Sequence, residues 1–130
     1  MRIMVTGIGI ERIVWSPDGQ YIVFIKPSRD YLSNSSLYLL EVESQAEVNI
    51  LETKSITGIQ WSPDGKVLTI ATDSGIKLLD MVDIDMEIET VSLFTLNGDL
   101  QVGRMGWSSD GRHIAAFVED GTVRVWGIGE

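Results

Sequence analysis

One pentapeptide occurs three times at regular spacing, and this repetition constrains the fold more than any other feature of the chain. The sequence WSPDG at 15–19 returns unchanged at 61–65 and as WSSDG at 107–111. The tryptophans of these copies are 46 residues apart in both steps. Self-similarity at one fixed period of this length indicates copies of a single supersecondary unit. The chain is therefore expected to be a repeat protein with three units.

Short strands separated by tight turns account for the flanks of each pentapeptide. An apolar run precedes each tryptophan, a β-branched or aromatic run follows each Asp-Gly, a third run comes next, and a fourth is present in two units. Dipeptides that favour hairpin turns stand between the runs: Asp18-Gly19, Asp64-Gly65, Asn97-Gly98, Asp110-Gly111 and Asp120-Gly121. No long window has helical periodicity. The pattern predicts an all-β chain of four-stranded antiparallel meanders.

The repeated stretches resemble a known repeat family. The segments WSPDGQYIVFI and WSPDGKVLTIAT are similar to the WD40-like repeats, also called PD40, of TolB-type β-propellers, and WSSDGRHIAAFVEDGTVRVWGIG is closer to a WD40 blade. The Gly-His pair of WD40 repeats is absent, and other pairs replace the Trp-Asp pair: Leu40-Glu41, Leu79-Asp80 and Trp126-Gly127. The resemblance implies a β-propeller of four-stranded blades, three per chain, that serves as a non-enzymatic binding scaffold.

The spacing inside each unit predicts where the blades are extended. The third strand starts 14 residues after the tryptophan in the second and third units, at Gly75 and Gly121, but 22 residues after it in the first, at Leu37. Blade 1 thus has an insertion of about eight residues between its second and third strands, and blade 2 has a matching one between its third and fourth. The expected division is a displaced strand at 1–9, blade 1 at 10–55, blade 2 at 56–101 and blade 3 at 102–130.

The ends of the chain predict how the blades assemble. Residues 1–6 have the same offset from Trp15 as the fourth strand at 47–52 has from Trp61, whereas blade 3 ends after its third strand. Closed propellers have about 4–8 blades, so we expect a six-bladed homodimeric ring in which the N-terminal strand completes the last blade of the neighbour. A nine-bladed trimer is less favoured. The expected interface residues are Ile3, Met4, Val5, Val123 and Val125.

Three other origins of an incomplete ring remain open at this stage. The alternatives to a homodimer are a piece of a longer propeller, one half of a ring completed by a different half-propeller, and an engineered or fragment-derived chain selected for ring closure alone. Each leaves the prediction of propeller blades unchanged, because the repeats are present in all cases.

The charge balance limits the expected partners. The chain has 19 acidic and 10 basic side chains and a net charge of −9, which disfavours nucleic acids and anionic membranes because both require clustered Lys and Arg. It has no cysteine for disulfides or thiol chemistry. The N-terminal MRIMVTGIGI is too short for a membrane span and lacks a signal-peptide cleavage site. We expect a cytoplasmic protein that binds itself and proteins or peptides.

The residue pattern contains no arrangement typical of catalysis, and we expect no catalytic residue, cofactor or metal. His113 is predicted to be a partly exposed strand residue. The motif aspartates precede glycine in tight turns, where Asp side chains bind their own backbone. The motif tryptophans are expected to pack between blades. The alternative function is a small-ligand or hydrolase/lyase-type propeller with a site at the channel mouth.

Two arginines are candidates for binding in the channel. Arg12 and Arg104 both lie three residues before a motif tryptophan, in the predicted innermost strand. Two chains would place four such arginines around the channel, where an acidic tail could bind, or where the arginines offset the surrounding carboxylates.

The two insertions hold the remaining binding candidates. Arg29 and Tyr31 lie in the insertion of blade 1 and are possible interface anchors. Asp83, Asp85 and Glu87 alternate along the insertion of blade 2, so that an extended strand would place them on one side. That side could bind a basic partner or a divalent cation, but a solvated hairpin face is favoured because the pattern of a calcium loop is missing.

Overall fold

The computed structural model describes residues 10–27, 35–81, 94–96 and 102–127, which lie in strands and the short connections between them. The strands in these ranges are β1 Glu11–Trp15, β2 Tyr21–Pro27, β3 Ser35–Glu41, β4 Glu47–Thr53, β5 Ile56–Trp61, β6 Val67–Thr72, β7 Gly75–Asp80, β8 Phe94–Leu96, β9 Val102–Trp107, β10 His113–Val118 and β11 Val123–Gly127. No helix in the described ranges is long and apolar enough to cross a membrane.

The strands form three antiparallel sheets in which every strand pairs with its neighbour along the chain. Blade 1 has the order β1-β2-β3-β4, blade 2 has β5-β6-β7-β8, and the described part of blade 3 has β9-β10-β11. The prediction of an all-β chain of antiparallel meanders is confirmed. The chain divides into two compact units, of which the first contains blade 1 and the second contains blades 2 and 3.

The central strands of each unit contain buried apolar residues. In blade 1, Val23 pairs with Leu39 and Ile25 pairs with Leu37, and these side chains are buried on one face of the sheet. The second unit has fully buried side chains in β6, β7 and β10: Leu68, Ile70, Ile76 and Ile114. Because side chains alternate across a strand, the same strands also present a second face, which determines what each blade can contact.

The repeated pentapeptide forms the turn between the first and second strands of each blade. In blade 2 the Ser62 hydroxyl donates to Asp64 Oδ1 at 2.8 Å and accepts from the Val67 amide at 3.0 Å. The Lys66 amide donates to the same carboxylate oxygen at 3.0 Å, and Gly65 has a φ of +75°. The same contacts recur in the turns that follow Trp15 and Trp107. The predicted turn role of the motif aspartates is confirmed.

These turn hydrogen bonds hold the motif aspartates in their ionised form. The pKa of Asp64 lies below its ordinary value because the Lys66 amide and the Ser62 hydroxyl both donate to its carboxylate. The pKa of Asp18 is lowered in the same way by the Gln20 amide and the Ser16 hydroxyl. Donors stabilise the charged form, so the turn is built for a carboxylate.

A β-bulge interrupts the first strand of every blade, upstream of its tryptophan. The register shifts between Glu11 and Ile13 in β1 and between Ile56 and Gly58 in β5. In blade 3 the shift lies between the pairs Met105–Ala116 and Val102–Val118. Bulges bend a strand and increase its twist, and their recurrence within five residues before each motif tryptophan shows that the three blades share more than their turns.

The sequence predicts that the third strand starts at Gly75 in blade 2 and at Gly121 in blade 3, but the hairpins that precede it differ in length. Gly75 is the first residue of β7 and pairs with Thr72, whereas Gly121 lies in the turn before β11. The hairpin of blade 3 is therefore one residue longer, because it contains the turn in which Asp120 Oδ1 accepts from the Thr122 amide at 3.0 Å. The equal spacing to the two glycines does not reflect equal positions in the sheet.

Candidate functional site

Blades 2 and 3 pack face to face, and we call this contact the internal interface. Its apolar part joins two residues of blade 2 to two of blade 3 in one buried cluster, with three partly buried side chains around it: Ala71, Ile76, Val102 and Ala116, surrounded by Leu78, Met105 and Trp126. Gly58 lies beside this cluster, where a Cβ would make ordinary van der Waals contact with Met105 Cε at 3.5 Å. The internal interface shows which strand positions one blade uses to cover the next.

Two polar contacts also cross the internal interface. The Trp107 indole N–H donates to Thr69 Oγ1 at 3.2 Å, and Thr69 in turn donates to the Gln60 carbonyl at 2.7 Å. The Thr57 hydroxyl donates to the Val102 carbonyl at 3.0 Å. The predicted role of the motif tryptophan as an inter-blade anchor is confirmed for Trp107.

Blade 3 has an apolar face on the side away from the internal interface, which we call the last-blade face. Phe117 pairs with Val123 and Ala115 pairs with Val125 across β10 and β11, so their side chains share this face. Phe117 is 51% exposed, Val123 is 67% exposed and Val125 is 61% exposed. These values are high for large apolar residues in paired strands, and they mark a surface suited to a protein contact.

Blade 1 has a second exposed apolar surface, which we call the first-blade face. Ile13 and Trp15 lie in β1, paired with Phe24 and Ile22 respectively. Ile13 is 66% exposed and Trp15 is 55% exposed. Trp15 has the same place in its repeat as Trp107, yet its side chain remains more than half exposed while Trp107 is partly buried.

An aromatic and ionic cluster occupies the rest of the same side of blade 1. The rings of Phe24 and Tyr38 stack with centroids 5.9 Å apart, and Lys26 Nζ lies 4.5 Å from the Tyr38 centroid. Lys26 also forms an ion pair with Glu47 at 3.0 Å. The positive charge is therefore matched within the blade, which leaves Ile13 and Trp15 as the exposed apolar part of this side.

The two candidate arginines both lie in first-strand bulges. Arg12 lies within the register shift of β1, between Glu11 and Ile13, and has a φ of +53°, a conformation that a residue with a side chain adopts rarely. Arg104 lies within the irregular part of β9, between Val102 and Met105. Both residues are exposed. The bulge therefore directs a cationic side chain to solvent in blade 1 and in blade 3.

The other predicted binding residues are distributed between described and undescribed parts of the chain. Val123 and Val125 lie on the last-blade face. The remaining candidates lie outside the described residues and stay predictions: Ile3, Met4, Val5, Arg29, Tyr31, Asp83, Asp85 and Glu87. His113 is the exposed first residue of β10, and its amide donates to the Ser108 hydroxyl at 3.0 Å.

Several residues of these surfaces were missed by the sequence reasoning. Phe117 and Ile13 complete the two exposed faces, and Thr69 accepts the indole hydrogen bond that crosses the internal interface. The sequence contained a signal for Phe117, because this large aromatic residue stands where blade 2, at the same distance from its tryptophan, has the small Ala71. No comparable signal marked Thr69, whose partner is 38 residues away in the chain.

The acidic side chains of the described ranges lie mainly in turns and along strands. In the described ranges no group of three His, Asp or Glu side chains is placed to hold a metal ion. Among the residues that the structure describes, the carboxylates with a lowered pKa are the turn residues Asp18, Asp64, Asp110 and Asp120, each of which accepts hydrogen bonds within its own turn. Their ionisation serves the fold.

Among solved structures, the chain is similar to the β-propeller domain of the Trilobed protease from Pyrococcus furiosus, which is described as having an open velcro topology. The TM-score is 0.61 at 19% sequence identity, and the match covers 93% of this chain and 41% of that chain. The likeness therefore shows the propeller fold, and this chain spans less than half the length of its structural neighbour. Comparison with curated proteins finds no match.

The family model for the WD domain, G-beta repeat, matches residues 46–80 and 90–127, more than half of the chain. Each matched stretch includes the last strand of one blade and ends with the third strand of the next. The repeat in the sequence is thus offset by one strand from the blade in the structure. With its three antiparallel sheets and its propeller neighbour, the chain belongs to the WD40 repeat family.

Proposed function

We propose that this chain is a non-enzymatic propeller scaffold that binds proteins or peptides through its blade surfaces. The observation that carries this proposal is the exposure of large apolar side chains on the first-blade and last-blade faces of a strongly charged chain. Contiguous exposed apolar side chains are typical of protein contacts. The polar residues of the repeat are engaged in turns, so the motif supports the blades and is not a reactive site.

The finer features expected from the sequence belong to the same proposal. They are the PD40 or TolB-type character of the repeats and a six-bladed ring of two chains. The matched family segments support the ring, because each begins with the strand that completes the preceding blade. Residues 1–9 occupy the corresponding place before β1, so they are proposed to form that strand for a neighbouring chain.

An acidic peptide is the proposed ligand of the first-strand bulges. Arg12 and Arg104 are exposed, and a guanidinium group binds a carboxylate through two parallel hydrogen bonds. Two such contacts at exposed positions contribute about 1–2 kcal/mol in total, which corresponds to roughly tenfold in affinity. The acidic insertion with Asp83, Asp85 and Glu87 is proposed to remain solvated.

Fluorescence anisotropy with a labelled oligoglutamate peptide tests this part of the proposal. We expect Arg12→Ala/Arg104→Ala to bind on the order of tenfold more weakly than the wild-type chain. The matched control is Lys66→Ala/Arg112→Ala, which removes two exposed cations from the repeated turns and should keep wild-type affinity. Equal loss in both double variants would indicate a general charge effect and contradict a site at the bulges.

The alternative of a hydrolase or lyase propeller has its own test. Wild-type chain incubated with ester, phosphate and glycoside reporter substrates should show no turnover above buffer. Turnover that copurifies with the folded chain and is lost on unfolding would overturn the non-enzymatic proposal.

A further inference from the structure

We propose that the last-blade face is covered by the first-blade face of a second copy of this chain, so that two copies join head to tail through contacts equivalent to those of the internal interface. This inference rests on the six-bladed ring of the proposed function and names the two surfaces that would form its contacts, and it does not depend on the binding of an acidic peptide. We identify the partner as a second copy by comparing the two exposed faces with the strand positions that form the internal interface.

The last-blade face has the same strand positions that blade 2 uses at the internal interface. There, Ala71 pairs with Ile76, and Thr69 pairs with Leu78. Ala71 and Phe117 both lie ten residues after the tryptophan of their blade. The corresponding pairs of blade 3 are Phe117 with Val123 and Ala115 with Val125. Blade 3 thus presents the surface that blade 2 buries, but presents it to solvent.

The first-blade face has the positions that blade 3 uses to cover blade 2. Met105 and Trp107 pair with the residues of β10 that lie nine and seven places after Trp107. Ile13 and Trp15 pair with the residues of β2 that lie at the same two distances after Trp15. Met105 packs at the internal interface and Trp107 donates a hydrogen bond across it. Their counterparts in blade 1 are more than half exposed.

One chain therefore carries both halves of a blade-to-blade contact, and both are exposed. The surface that covers the equivalent positions at the internal interface is an apolar sheet face with a tryptophan at the end of its first strand, and a second copy provides such a surface. Packing large apolar groups against each other removes them from water, which is the main driving force for such association. Two copies supply six blades, within the range of about 4–8 found in closed propellers.

Sedimentation velocity and native mass spectrometry of the full 130-residue chain provide the test. The wild-type chain should have twice its 14.4 kDa mass at micromolar concentration. Ile13→Asp alters the first-blade face and Val125→Asp alters the last-blade face, and each should reduce association at least tenfold. Gln20→Asp, an exposed turn position, adds the same charge and should leave the dimer intact. If Val125→Asp lowers the urea midpoint of unfolding, Val123→Asp provides a second change on the last-blade face.

Mixing the two face variants separates head-to-tail contact from other arrangements. A pair of Ile13→Asp and Val125→Asp chains retains one unaltered contact, so mixing should restore dimers that neither variant forms alone. A monomeric wild-type chain, or a dimer insensitive to these changes, would overturn the inference. So would failure of the mixture to associate. Oligoglutamate binding measured on the same samples shows separately whether the proposed peptide site fails.

Discussion

The hydroxyl of Ser62 is expected to be the most important polar group of the repeated turn, and Ser62→Ala measures its contribution. Ser62 is buried, and its hydroxyl donates to Asp64 Oδ1 at 2.8 Å while accepting from the Val67 amide at 3.0 Å. A typical hydrogen bond contributes about 0.5–1.5 kcal/mol net. Losing both, with the exposed Asp64 carboxylate regaining water, should lower the free energy of unfolding by about 2 kcal/mol.

The measurement is urea and thermal unfolding followed by the fluorescence of the four tryptophans. For a chain of this size a loss of about 2 kcal/mol corresponds to a decrease in melting temperature of roughly 6–10 °C. Ser108→Ala should cost less, because Ser108 is only half-buried. Ser109→Ala is the matched control, since this exposed residue occupies the third place of its pentapeptide, where the other two copies have proline.

The order of effects decides whether the reasoning is right. We expect Ser62→Ala to be the most destabilising variant, Ser108→Ala to be intermediate, and Ser109→Ala to lie within about 0.5 kcal/mol of the wild-type chain, as is usual for surface changes. Equal stability of Ser62→Ala and Ser109→Ala would refute a structural role for the hydroxyl and leave the repetition of serine unexplained.

Two further predictions concern the same turns. Gly19→Ala should destabilise the chain by about 1–2 kcal/mol, because Gly19 has a φ of +74° that disfavours a Cβ. Gly106→Ala is the control and should be close to neutral, since a Cβ at either position meets nothing within 4 Å. Equal urea midpoints of the two variants would contradict this explanation. The pKa of Asp64 and of Asp110 is lowered from 3.8, so their stabilisation is complete above that value and is lost as the pH falls through the folded-state values. Asp64→Asn should therefore flatten the decline in urea midpoint between about pH 5 and pH 2, and an unchanged pH profile would show that the turn carboxylate does not contribute.

Much of the fold could be predicted because its signals are local. The turn of WSPDG depends on the backbone freedom of Gly65 and on hydrogen bonds from Asp64 and Ser62 to groups within five residues. Strands are recognisable between such turns because apolar residues alternate along them. The sheet register also agrees with the positions assigned to the replaced Trp-Asp pair, because Leu40 and Leu79 pair with residues at equivalent places in their blades, Ile22 and Leu68.

Much less of the candidate site could be predicted, because exposure depends on partners distant in the chain. Counting from the tryptophan placed Gly121 with Gly75, and a longer hairpin in blade 3 makes that alignment wrong by one residue. A shift of one residue exchanges the two faces of a strand. The pairing of Phe117 with Val123, and hence the composition of the last-blade face, became clear from the sheet register.

The sequence by itself determined the number of repeats, the meander of each blade and the chemistry of the turns, because these depend on neighbours a few residues apart. The tertiary structure decided which of the equivalent tryptophans reaches across a blade interface. Trp107 donates to Thr69 across the internal interface, while Trp15, with the same pentapeptide around it, is 55% exposed. Identical motifs differ in burial because burial is a property of the surface that lies opposite, and a repeat does not encode its own partner.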